Sequence, residues 1–181
     1  MQRSLVGSEM CIRDSSSMIK NLSCKNGMVS WNDIKLKIKN AFLATENKGI
    51  IQVKCGENYV EQEVQFYDEK GSMILKYNLI TNTLLTTNRQ IVLAEIEQVM
   101  PYNNKIVILC NKNKIIVLNG DEEQEIRPIN GYIFNYLTFE NGNLIVICNG
   151  DKNHMDKFGR LTRKFNLDDM NCCLIDKGIA Y

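Results

Sequence analysis

The chain is 181 residues long, with 22 lysines and arginines against 21 aspartates and glutamates, a formal net charge of +1. That balance excludes nucleic acid as the expected partner, because a chain that neutralises phosphates carries a basic excess gathered on one face. The longest apolar runs, 105–110 and 144–148, are strand-sized and end in turn residues, so the visible chain offers no membrane span.

The first fifteen residues are set apart. Leu5 to Ser15 is what one reads, codon by codon, on translating the transposon-end adaptor used in shotgun DNA sequencing, so 1–15 is expected to be an adaptor-derived scar and not part of the fold. The natural start is then expected to lie upstream, with any leader or preceding domain. The remaining stretch, 16–181, is ample for one hydrophobic core. Of the seven cysteines, Cys11 falls in the scar, and Cys24, Cys55, Cys110, Cys148, Cys172 and Cys173 show no C-x-x-C spacing. They read as reduced, core-filling side chains, which slightly favours a cytoplasmic location without assigning one.

Along the chain the pattern is hairpins from end to end. Lys20 to Gly27 is polar. In Met28 to Lys39, Ile34, Leu36 and Ile38 alternate with Lys35, Lys37 and Lys39, which predicts one exposed edge strand guarded by lysine. A first four-strand unit follows, with strands predicted at 40–45, 50–55, 63–68 and 73–79. A second is predicted at 91–100, 105–110, 114–118 and 123–129, with an Asn119-Gly120 turn. A third is predicted at 132–139, 143–148, a weakly marked strand near 152–157, and 160–167, its first turn at Asn141-Gly142. Ile91 to Met100 also fits an amphipathic helix. Residues 172–181 read as a last strand able to close onto a neighbour, and 56–62 as an insertion projecting from one face.

An internal repeat underlies these units. Asp68 to Leu79 and Asp156 to Leu167 both follow D-x-x-G-x-x-x-x-K-[FY]-N-L, an acidic turn starter and a glycine ahead of a strand. Their offset is close to two repeats of about 40 to 50 residues, the length of a propeller blade. Cys110 and Cys148 also fall at one point of their units. In strand number, unit length and hairpin the chain resembles a bacterial WD40-like or YVTN-like β-propeller over 40–181. The Trp-Asp pair of WD40 repeats and the Gly-Gly doublet of kelch repeats are absent, and Trp31 is the single tryptophan. The resemblance implies an all-β fold of consecutive four-stranded antiparallel sheets, a partial propeller of about three to four blades.

Candidate chemistry is sparse. His154 is the single histidine and reads as a surface loop residue, leaving no two-histidine metal site. Asp151 to Asp156 places oxygen ligands at the first, third and sixth positions but lacks the glycine and distal glutamate of a calcium loop. Residues 120–125 form an acidic turn. Glu95 and Glu97, two apart on a predicted inner strand, are expected on one side, where paired carboxylates bind a metal or act as acid and base. The repeated Lys76-Tyr77 and Lys164-Phe165 pairs are expected to serve packing, since ligand sites are built from what differs between repeats. No catalytic, cofactor or metal set is assigned. The resemblance implies a binding or scaffold module for a protein or peptide partner; the alternative is a propeller-type hydrolase or lactonase with a channel metal or carboxylate site completed by blades outside this chain.

Overall fold

The computed structural model describes residues 19–159 and 161–179; the segment read as an adaptor scar lies outside the described residues. Among them there is no α-helix, and 17 strands form four antiparallel sheets that follow one another along the chain. Two compact units divide them, 1–92 and 93–181.

The first unit holds a three-stranded sheet, β1 (Ser23–Lys25), β2 (Met28–Trp31) and β3 (Ile34–Lys37), then a six-stranded one. The predicted single strand over 28–39 is therefore two strands. Asn32, at φ +50, takes the left-handed conformation that asparagine tolerates and turns the chain between them. The lysine alternation survives in β3, which lies at the sheet edge with Lys35 and Lys37 exposed. Val29 and Trp31 are fully buried and pack with Ile51, Val53, Cys55 and Tyr67. The Trp31 indole N–H donates to the carbonyl of Glu69 at 2.9 Å, satisfying its polar atom inside the core.

The second sheet runs β4 (Ala41–Asn47), β5 (Ile50–Cys55), β6 (Glu63–Tyr67), β7 (Met73–Asn78), β8 (Thr83–Thr86) and β9 (Gln90–Val92) in sequence order. Four of these were expected. β8 and β9 extend the sheet to six, and β9 takes the start of the predicted strand over 91–100. That stretch is neither one strand nor a helix: it breaks at Glu95, φ +55, and its second half opens the next sheet.

The second unit holds β10 (Ile96–Tyr102), β11 (Lys105–Cys110), β12 (Lys114–Asn119) and β13 (Glu122–Ile126), then β14 (Tyr132–Glu140), β15 (Asn143–Gly150), β16 (Thr162–Asp168) and β17 (Cys173–Ile179). Residues 152–157 are not a strand. Asp151 accepts from the Asn153 amide and starts a single 3₁₀ turn, Lys152–His154, so β16 is the third strand and β17 the fourth. β17 thus pairs within its own sheet and not with a neighbouring one. The Asn141-Gly142 turn has both residues at positive φ, as a type I′ hairpin requires, whereas the 119–122 turn is centred one residue later, on Gly120 and Asp121.

The sequence repeat has a physical counterpart. In each D-x-x-G turn the aspartate carboxylate accepts a backbone N–H two residues on, and its carbonyl accepts from the glycine, Gly71 or Gly159, at positive φ. Tyr77 and Phe165 are both buried, Tyr77 stacked on Phe66 and Phe165 edge-on to Tyr132. Lys76 and Lys164 reach Glu63 and Glu140 on other strands of their own sheets. The repeated pairs serve packing, as expected.

A second repeat was only half visible in the letters. Ala41 opposes Cys55, Ile96 opposes Cys110 and Phe134 opposes Cys148, and in each case the first strand bulges at the next residue. A bulge inserts one unpaired residue and re-aims the strand. All three cysteines are buried, and burial pushes the thiols of Cys55 and Cys148 up to about 12 and that of Cys110 upward, which keeps them protonated and inert. Within the second unit Gln98, just past its bulge, locks two sheets together: its amide donates to the Leu137 carbonyl at 3.1 Å and accepts from the Leu137 N–H at 2.6 Å.

Candidate functional site

The bulges and cysteines mark the same end of three sheets. There the connection from second to third strand begins, and it differs in every sheet: 56–62, 111–113 and 151–161. The bulged residues differ too, being Phe42, Glu97 and Asn135.

In the six-stranded sheet this end is the 56–62 loop, exposed at 57–60. Gly56 opens it by donating to Asn40 O at 2.9 Å, and Gln62 closes it by donating to Cys55 O at 2.9 Å. Between them runs a 3₁₀ turn, Glu57–Tyr59, with Asn58 at φ +55 and Tyr59 at φ +61. Left-handed backbone at a bulky residue such as tyrosine is held against a local preference of about 1–3 kcal/mol, a strain that clusters at functional segments. The result is a Tyr59 residue 82% exposed, its ring met edge-on by Phe42 at 6.0 Å, with Val60 exposed beside it. Asn40, Ala41, Phe42 and loop residues 56–59 line an open groove of about 440 Å³.

In the next sheet the end carries Glu97, half-buried at the bulge. Desolvation raises its carboxyl above the ordinary glutamate value, Lys112 opposes the shift and Glu95 adds to it. Glu95 itself sits in the exposed turn before β10, so it does not alternate with Glu97 along one strand, as had been expected. The bulge breaks the alternation on which a paired-carboxylate site depends. Among the described residues no group of three His, Cys, Asp or Glu side chains is placed to hold a metal ion.

The Lys112 carbonyl accepts from the Phe134 N–H at 2.7 Å, tying this end to the corresponding end of the last sheet. There His154, read from sequence as a surface residue, is half-buried. Its Nδ1 lies 2.6 Å from Asp151 Oδ1, its ring packs edge-on to Tyr132 with centroids 5.0 Å apart, and it covers Gly131 so closely that a Cβ there would fall 2.6 Å from Nε2. The hydrogen bond to His154 holds the Asp151 carboxyl below its ordinary value. Asp151 and Asp156 both cap backbone amides, of Asn153 and Phe158, so the spacing that resembled a calcium loop is used by turns. Sequence pattern offered no route to the Gly131–His154 contact, which joins residues 23 positions apart through a glycine whose role appears only in three dimensions.

No protein-family model and no curated protein matches this chain. Among the described residues no helix is long and apolar enough to cross a membrane.

Proposed function

We propose that the four sheets are consecutive blades of a bacterial WD40-like or YVTN-like β-propeller, and that the chain is a binding or scaffold module whose variable blade ends take a protein or peptide partner. Support for the blade arrangement comes from sheets in sequence order, from the repeated bulge and cysteine, and from the Gln98 clamp between first strands. The 56–62 loop is the principal contact.

One observation carries the binding assignment: Tyr59 is 82% exposed on a strained, hydrogen-bonded loop beside a groove. A tyrosine held in place buries large area at low entropic cost, which is why tyrosine is enriched among the residues that dominate interfaces. The edge-on contact with Phe42 leaves most of Tyr59 exposed, and a docked peptide would bury it. Selection of a phage-displayed peptide library on the full chain tests this. Peptides should be enriched on the wild type and lose roughly 10-fold or more in affinity on Tyr59→Ala, the effect of removing an interface anchor. Absence of enrichment, or peptides that bind Tyr59→Ala equally well, would remove the loop from the function.

A further inference from the structure

Among the strands that end a sheet, β3 and β13 carry opposite charge. β3 ends the three-stranded sheet and β13 ends the β10–β13 sheet, and among the described residues neither outer edge has a partner strand. β3 exposes Lys35 and Lys37; β13 exposes four consecutive residues, Glu122, Glu123, Gln124 and Glu125. An open edge is a template for another strand, and edge charges decide which strand is admitted.

The backbone registers agree with the charges. Ile38 donates to Gly27 O at 2.7 Å, so the pairs 27/38, 29/36 and 31/34 are the hydrogen-bonded ones, and the amide and carbonyl of Lys35 and Lys37 point to the open edge. On the other side, Asn119 and Glu122 close a two-residue turn as a hydrogen-bonded pair, so the backbone groups of Glu123 and Glu125 point to the open edge. Laid antiparallel, with Glu123 opposite Lys37 and Glu125 opposite Lys35, the outward groups of both strands meet as hydrogen-bonded pairs. The same register sets lysine against glutamate twice on one face and Ile126 opposite Ile34 on the other.

We propose that the chain self-associates head to tail, the β3 edge of one copy adding to the β13 edge of the next. Charge selects this arrangement over pairing of either edge with itself: β3 on β3 opposes lysine to lysine, and β13 on β13 opposes glutamate to glutamate, both disfavoured across strands. Because the two edges are different surfaces, the contact is heterologous, and successive copies form a closed ring or an open chain.

Sedimentation velocity of the full chain over a concentration series in low salt tests the proposal. The wild type should grow past the dimer with concentration, and added salt should weaken the growth. Lys35→Glu/Lys37→Glu and Glu123→Lys/Glu125→Lys should each associate at least roughly 10-fold more weakly, since two attractive cross-strand pairs become repulsive. Mixing the two variants should restore association, as should combining all four changes in one chain. Unchanged far-UV circular dichroism confirms the fold; if a reversal disturbs it, Lys35→Gln/Lys37→Gln should show a smaller loss in the same direction. A monomeric wild type, unweakened association in the reversed or neutralised variants, or a mixture that stays monomeric would each overturn the proposal.

Discussion

Replacing Gly56 by alanine isolates what holds the candidate loop. The Gly56 φ of 165° is extended backbone open to any residue, so the substitution introduces no conformational strain of its own. Its cost is contact. The new Cβ would overlap the Val60 carbonyl, lying 2.8 Å from Val60 C and 3.2 Å from Gln62 N, so the loop must retreat by more than an ångström. Overpacking of this kind costs about 1–3 kcal/mol. A retreat also weakens the Val60–Glu57 or Gln62–Cys55 backbone bond, worth about 1 kcal/mol net. A loss of about 2–3 kcal/mol is therefore expected, if the loop moves instead of the strands. Urea unfolding followed by Trp31 fluorescence reports it, because Trp31 is fully buried in the cluster that contains Cys55, the residue before Gly56. Gly120→Ala is the control: nothing lies within 4 Å of its Cβ, and its φ of +61 predicts a cost of only about 1–2 kcal/mol, purely from backbone. A Gly56→Ala chain as stable as wild type, with wild-type peptide binding, would show that the loop is not built as described.

Three further outcomes follow from the packing. Gln98→Ala strands the Leu137 amide and carbonyl and should cost about 2–3 kcal/mol, with faster hydrogen exchange at Leu137. Lys105→Met leaves the buried Asp169 carboxylate without the 2.9 Å ammonium contact that neutralises it, and should cost about 3 kcal/mol by chemical denaturation. Glu97 has a folded-state pKa raised above its unfolded value of about 4.5, so the native state binds the proton more tightly and stability falls as pH rises through that interval. Glu97→Gln should flatten that fall, leaving the variant at least as stable as wild type near pH 7, in unfolding curves recorded from pH 4 to 7.

Much of the frame could be read from the letters, because it depends on local chemistry. The D-x-x-G turns, the Asn141-Gly142 hairpin and the apolar strands at 105–110 and 143–150 obey rules confined to a few residues. β8 leaves no clear pattern because Leu84 alone is buried in it, and β9, three residues long, merges in sequence with the apolar spacing of 91–100. The 91–100 stretch misled because a helical face, a strand and a break at Glu95 share one pattern of apolar spacing. The site was less readable. The common place of Cys110 and Cys148 shows in their spacing but that of Cys55 does not, since the extra strands β8 and β9, more than the 56–62 loop, lengthen the interval to Cys110 while the register stays intact. Exposure of Tyr59 follows from two successive left-handed residues, and nothing in the composition of 56–62 announces that geometry.

The binding account is tested most directly by hydrogen–deuterium exchange of the full chain with and without a peptide selected on it. Protection is predicted at 40–42 and 56–62, where the groove and the Tyr59 loop lie, and should vanish with Tyr59→Ala. Protection confined to the β3 or β13 edge, or to the D-x-x-G turns, with 56–62 exchanging as in the free chain, would contradict it.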